Sequence, residues 1–238
     1  RDGTSGEGTE ATPAGNPGSP AAAPVRGFAN EPNTDPALPA NQEWSRQVIA
    51  TAERIDISPR TADDFDVDTT VQTAKQAAAD WAALGARGRL PYFQRAAELF
   101  AQRRGEFLAV AAAEAGKTLA QSDPELSEAI DFIRYYADQA LEIEEIETRD
   151  GVQFTPDQVT VITPPWNFPV AIPTGSTVAA LAAGSAVIHK PSGMTPECSR
   201  MIVETLWQAG IPRNVLQLVP PIESETGKAL ISLSLIHI

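Results

Sequence analysis

Between Gln158 and Val219 the chain alternates three short β-branched runs with two helical segments, and no other feature constrains its fold as tightly. The runs are "QVTVIT" (Gln158 to Thr163), "SAVIHK" (Ser185 to Lys190) and "NVLQLV" (Asn214 to Val219). An Ala-rich helix is predicted from Thr174 to Ala183. An amphipathic helix follows from Thr195 to Ala209, stopped by Gly210 and Pro212. A β-α-β-α-β order calls for parallel strands joined by right-handed crossovers. The expected class is therefore α/β, the first half of a doubly wound dinucleotide-binding domain.

Such a domain usually carries Gly-x-Gly-x-x-Gly after its first strand, and this chain has "TPPWNFP" there instead. A standard diphosphate turn is thereby excluded. Asn167 is held between Trp166 and Phe168, with Pro165 and Pro169 stiffening both sides. Its carboxamide can aim two N–H donors at an oxygen that becomes negative in a transition state, or it can satisfy loop carbonyls.

Lys190 falls at the C-terminal end of the second strand, the edge where open α/β sheets hold ligands. It can donate to ribose hydroxyls with help from Ser192, or it can be a solvated strand-end lysine. His189 alternates with it and is expected in packing. Cys198, on the following helix near Arg200, lacks a base within sequence reach and reads as a buried helix residue. "EAGKT" (Glu114 to Thr118) tempts toward a triphosphate loop. That loop needs a glycine where Ala111 stands, so Gly116 is read as a helix C-terminus.

Residues 1–27 are Gly, Pro, Ser, Thr and Ala with almost no large apolar side chain, which predicts a disordered linker. Residues 28–44 read as an extended arm anchored by Phe28, Leu38 and Trp44. From about Ser45 to Glu147 the pattern is helical. The expected helices are Asp68 to Leu84, Leu90 to Arg103 with Pro91 in its first turn, one through Phe107 to Ala112, and Pro124 to Ile146. Ser122 or Asp123 is expected to cap the last, and its "EIEEIE" end to form a solvated face. The tail "PIESETGKALISLSLIHI" begins a further helix and ends on an apolar run.

The net charge of −13 opposes nucleic-acid and anionic-membrane binding. A single cysteine rules out an internal disulfide and a cysteine metal cluster, so no metal is expected. It fits a reducing, cytoplasmic location. No apolar run reaches the roughly 18 residues of a membrane helix. No signal peptide is visible. The polar opening at Arg1, without an initiator Met, suggests a piece of a longer protein, and the uncapped apolar end suggests truncation, with terminal residues that need not be native.

Together "TPPWNFP", "LAAGSAVIHKPS" and "QAGIPRNVLQLVP" resemble the NAD(P)-dependent aldehyde dehydrogenase superfamily, over about Trp44 to Lys228. The upstream "EAGKTLAQSDPELSEAIDFIRYYADQA" resembles the helix leading into that family's cofactor domain. The arm and "AIDFIRYYA" resemble the pyrroline-5-carboxylate dehydrogenase half of proline utilisation A proteins. The resemblance implies a helical lead-in (28–150), a partial NAD(P)-binding region (151–228) and a truncated tail (229–238). It implies an upstream proline dehydrogenase domain, whose FAD site is absent from this chain, and a homo-oligomer at full length.

Carried over by motif, Asn167 corresponds to the oxyanion-stabilising Asn and Lys190 to the ribose-binding Lys. Thr163, Pro164, Pro165, Trp166, Ser192 and Gly193 would line the cofactor groove. Gly193 stands where many NAD-preferring members have an acidic residue, so NAD and NADP both remain open. The family's nucleophilic Cys and glutamate base match neither Cys198 nor Glu204, which implies that this chain alone does not turn over substrate. Oxidation of L-glutamate γ-semialdehyde by the parent enzyme is the leading expectation. An aldehyde dehydrogenase of other substrate and a non-catalytic scaffold of the same fold are the alternatives.

Overall fold

The computed structural model describes residues 28–57, 66–221 and 230. The expected linker at 1–27 and almost all of the tail lie outside them. The strands are β1 (Val159–Ile162) and β2 (Ala186–His189), where β-branched residues cluster, and β3 (Leu216–Leu218), which Val215 and Val219 flank. They are parallel in the order β1-β2-β3, with Val159 opposite Ala186 and Val187 opposite Leu216. The helices are α1 (Pro39–Ala52), α2 (Val67–Ala83), α3 (Gly85–Gln102), α4 (Arg104–Ala115), α5 (Leu119–Asp150), α6 (Ala171–Ala183) and α7 (Pro196–Gln208). The α/β class is as expected.

Side-chain alternation along β2 divides the core in two. Ala186 and Ile188 join Val71, Ala74 and Ala78 of α2 on one face of the sheet. Val187 faces the other way, into the larger core shared by Leu181 of α6, Ile202 and Leu206 of α7, and Phe93, Phe107 and Ile130 of α3 to α5. Thus α2 covers one face of the sheet, and α6 and α7 cover the other, with the remaining helices packed outside them.

The helix limits differ from expectation where a start signal lay further upstream. The arm is extended only as far as Leu38, where α1 starts, so Trp44 is a buried helix residue rather than an anchor of extended chain. Helix α3 starts at Gly85, which leaves Pro91 inside it; proline there cannot donate to the carbonyl four residues back. Helix α5 starts at Leu119 behind a Thr118–Gln121 capping box, so Ser122 and Asp123 lie within it. Asp123 instead binds buried Arg104 at 2.7 Å and takes both the amide (2.6 Å) and the hydroxyl (2.8 Å) of Thr34 in the arm. In the acidic end of α5, Glu144 is not merely solvated. Its Oε2 accepts from the amides of Ala86 (2.7 Å) and Arg87 (3.2 Å) at the start of α3.

His189 is fully buried, as its place in packing predicts, with Nδ1 2.9 Å from Thr177 Oγ1. Burial lowers its pKa to about 4. The unfolded chain therefore takes up a proton below pH 6.5 that the folded chain refuses until about pH 4. Stability should rise with pH across that window by about 3 kcal/mol from this one residue. Denaturant titrations at pH 7 and pH 4.5 should show this loss in the parent chain and a visibly smaller one in His189→Gln.

Candidate functional site

The register that pairs Ile162 with His189 makes Thr163 and Lys190 the first residues beyond their strands, side by side on the C-terminal edge of the sheet. The Lys190 amide donates to the Ile162 carbonyl at 2.9 Å, which fixes the two chains there. The Lys190 side chain is half-buried and meets only the Pro191 carbonyl, at 3.5 Å, among the described residues. Among the described residues this ammonium has no acidic partner. Ser192 Oγ accepts from the Met194 amide at 3.3 Å, and Gly193 is exposed beside it. Of the other groove residues Pro164 is buried, whereas Thr163, Pro165 and Trp166 face solvent.

Asn167 lies further along, on the turn that opens α6. It is exposed, and among the described residues its carboxamide has no hydrogen-bond partner. Loop carbonyls therefore do not claim it. Two charged groups that sequence reasoning passed over sit against this turn. Glu125, almost wholly buried on α5, accepts through Oε1 from the amides of Val170 (2.7 Å) and Ala171 (3.1 Å). Its other oxygen binds Lys117, whose ammonium also lies 4.6 Å from the centroid of the Phe168 ring. Lys117 belongs to "EAGKT". Gly116 does end α4, in the left-handed conformation at φ 65°, and Lys117 leaves from that bend. A signal for Glu125 exists: "NFPVAIPTG" offers no capping side chain, so the start of α6 needs one from elsewhere.

Helix α7 is closed in the same way. Glu114 of α4 accepts from the amides of Glu197 and Cys198, both at 2.8 Å. Burial raises the Glu114 carboxyl pKa, against the pull of those two hydrogen bonds. Cys198 is 1% exposed, and burial, with Glu114 beside it, holds its thiol well above the ordinary range. It is a packing residue with none of the features of a nucleophile. Glu204 pairs with Arg200 at 2.7 Å on the surface of α7. Among the described residues no group of three or more His, Cys, Asp or Glu could hold a metal, and no helix is long and apolar enough to cross a membrane.

The fold and this edge define an α/β chain that carries Thr163 and Lys190 side by side at its strand ends, with no glycine-rich turn after the first strand. Residues 41–238 match the aldehyde dehydrogenase family, and the chain belongs to it. It is 36% identical over 171 residues to 1-pyrroline-5-carboxylate dehydrogenase 2 of Bacillus subtilis, a match covering 69% of this chain and 33% of that protein. Over 200 residues it is 34% identical to 1-pyrroline-5-carboxylate dehydrogenase of Bacillus licheniformis, covering 81% of this chain and 37% of the other. Proline utilization A from Corynebacterium freiburgense superposes with a TM-score of 0.74 at 36% identity, over 87% of this chain and 20% of that one. A Thermus 1-pyrroline-5-carboxylate dehydrogenase with bound NAD shares the fold, with a TM-score of 0.78 at 24% identity, over 90% of this chain and 49% of that one. The chain thus spans about a third of the length of the curated relatives it matches.

Helix α6 presses on α5 at Gly175, where a Cβ would fall 2.8 Å from Phe132 Cδ2. Gly175→Ala should lower stability by roughly 1–3 kcal/mol, as overpacking does. Urea denaturation of the two chains measures it.

Proposed function

We propose that this chain carries the N-terminal part of an aldehyde dehydrogenase domain that oxidises L-glutamate γ-semialdehyde to L-glutamate with NAD(P)⁺. The observation that carries this reading is the exposed carboxamide of Asn167, without a hydrogen-bond partner among the described residues, on a turn clamped from α5 and following directly on the Thr163–Lys190 strand edge. Similarity to 1-pyrroline-5-carboxylate dehydrogenases and to proline utilization A supports the substrate. In this reading residues 28–150 are the arm and helical lead-in, 151–228 the partial cofactor region and 229–238 the segment that follows it. Residues 1–27 are the linker from a flavin-dependent proline dehydrogenase domain. The parent protein is cytoplasmic and homo-oligomeric.

Each residue has a defined task. Lys190 donates to the ribose hydroxyls of the nicotinamide cofactor, with Ser192 and Gly193 forming the adjoining turn. Backbone from Thr163 to Trp166 walls the groove. The cofactor, when bound, supplies the hydride acceptor. Asn167 donates N–H to the oxygen of the aldehyde as a thiolate adds and that oxygen becomes an anion. This stabilisation is stronger in the transition state than in the ground state, so it acts on kcat. Gly193 offers no carboxylate to repel a 2′-phosphate, so NADP is accommodated as well as NAD. The thiolate is not Cys198, which is buried and protonated.

The 238-residue chain should therefore give no NADH from semialdehyde and NAD⁺. A longer chain carrying the family's Cys and Glu motifs should turn over. In that longer chain Asn167→Ala should lower kcat by about 10²–10³-fold with little change in KM. Turnover by the 238-residue chain, or full kcat in Asn167→Ala, would contradict the reading.

A further inference from the structure

Asn167 makes no hydrogen bond of its own among the described residues, so the direction of its carboxamide depends on what holds its neighbours. Upstream, Pro164 is buried and Pro165 restricts the backbone. Downstream, one ion pair holds the turn at two places. The Lys117 ammonium lies over the Phe168 ring at 4.6 Å, and Glu125 takes the Val170 and Ala171 amides at 2.7 and 3.1 Å. The Lys117 and Glu125 side chains bind each other and are only 13% and 2% exposed. Neither can drift into water, and neither can lose the other without leaving a buried charge unpaired.

We infer that Lys117 and Glu125 are positioning residues for Asn167, acting through Phe168 and the first amides of α6. The inference rests on Asn167 being the oxyanion donor proposed above. A donor aimed at a developing oxyanion needs its supporting contacts fixed to within about half an ångström. The Trp-Asn-Phe turn cannot supply this alone, because Trp166, Asn167 and Phe168 are all exposed. Glu125 anchors the backbone just after the turn, and Lys117 anchors the ring beside Asn167. The pair comes from the α4–α5 junction, so the helical lead-in sets the geometry of a group carried by the cofactor region.

The test is an ¹⁵N NMR comparison in the 238-residue chain, reading the Asn167 side-chain amide and the backbone amides of Val170 and Ala171. Glu125→Gln and Lys117→Met should broaden or split the Asn167 signal. They should speed hydrogen exchange at 170 and 171 by ~10-fold, the equivalent of one lost charge-assisted hydrogen bond. Lys117→Arg, which keeps the cation, should restore a single Asn167 signal. Glu114→Gln is the control for general loosening. It removes the same kind of carboxylate from α7 and should leave Asn167, Val170 and Ala171 unchanged. An Asn167 signal unmoved by both Glu125→Gln and Lys117→Met overturns the inference, and so does an equal response in Glu114→Gln. If Glu125→Gln does not fold, the Lys117→Met and Lys117→Arg pair decides alone.

In the longer, active chain both disruptive variants should lower kcat at least ~10-fold while KM stays within about twofold. Loss of kcat in Asn167→Ala but not in these two overturns the positioning role alone. Full kcat in Asn167→Ala overturns the oxyanion reading, whatever the NMR result.

Discussion

Five of the described helices begin without a capping side chain of their own, and in three of them, α3, α6 and α7, a glutamate from a distant helix closes the first amides. Glu144 closes α3, Glu125 closes α6 and Glu114 closes α7. A carboxylate in that position satisfies donors that would otherwise be orphaned, and it meets the positive end of the helix dipole. In a partly buried setting this contributes up to about 2 kcal/mol. The opposite ends are treated in the opposite sense. Buried Arg89 donates to the carbonyls of Trp81 and Ala82 at the end of α2, and to Ala182 at the end of α6. Helix α6 contains no charged residue, so both of its ends are closed by charges brought from elsewhere.

These contacts set where the strand-edge residues sit. Helix α5 lies against α6, and Gly175 lets Phe132 come closer than any side chain would allow. Glu125, on the same helix, fixes the first turn of α6 and with it the end of the Trp-Asn-Phe turn. Trp81 of α2 donates to the Leu181 carbonyl at 2.9 Å, tying the helix that covers one face of the sheet to a helix on the other. The order of strands and helices builds the edge, and the transverse charges hold its turns in place.

The strands and the two crossover helices were legible in the sequence because their signals are local. β-Branched residues mark β1 and β2, Val215 and Val219 flank β3, and Gly210 and Pro212 follow the last turn of α7. Starts were misjudged where two signals competed. Pro91 looked like a first-turn proline although α3 begins at Gly85, and Pro124 drew attention from the capping box at Thr118. The tertiary caps were invisible for a different reason. Glu125 is 45 positions from Val170, and Glu114 is 83 positions from Glu197. No periodicity links them; only the lack of a cap in the receiving segment points to their existence. Asn167 and Lys190 stand out in the sequence because their surroundings are unusual, whereas Lys117 lies in a stretch whose local pattern suggests a phosphate loop it cannot form.

The same caps give a physical reason for the missing glycine-rich turn. In a standard dinucleotide fold the helix after the first strand offers its free N-terminal amides to a diphosphate. Here the first amides of α6 are taken by Glu125 and those of α7 by Glu114, so an anion approaching either helix end meets a carboxylate rather than open donors. Glycines that would let a phosphate come close have no use at such a turn, and prolines and aromatics can replace them. Attraction for a negatively charged ligand must then come from a cation on the strand edge. Lys190 is the lysine at that edge, half-buried and without an acidic partner among the described residues, and the proposed function gives it this task. The turn released from phosphate binding is the one that carries Asn167. Under the proposed function, filling the helix ends with glutamates separates two tasks that a glycine-rich turn would combine: holding the ligand falls to the edge of β2, and presenting a hydrogen-bond donor falls to the start of α6.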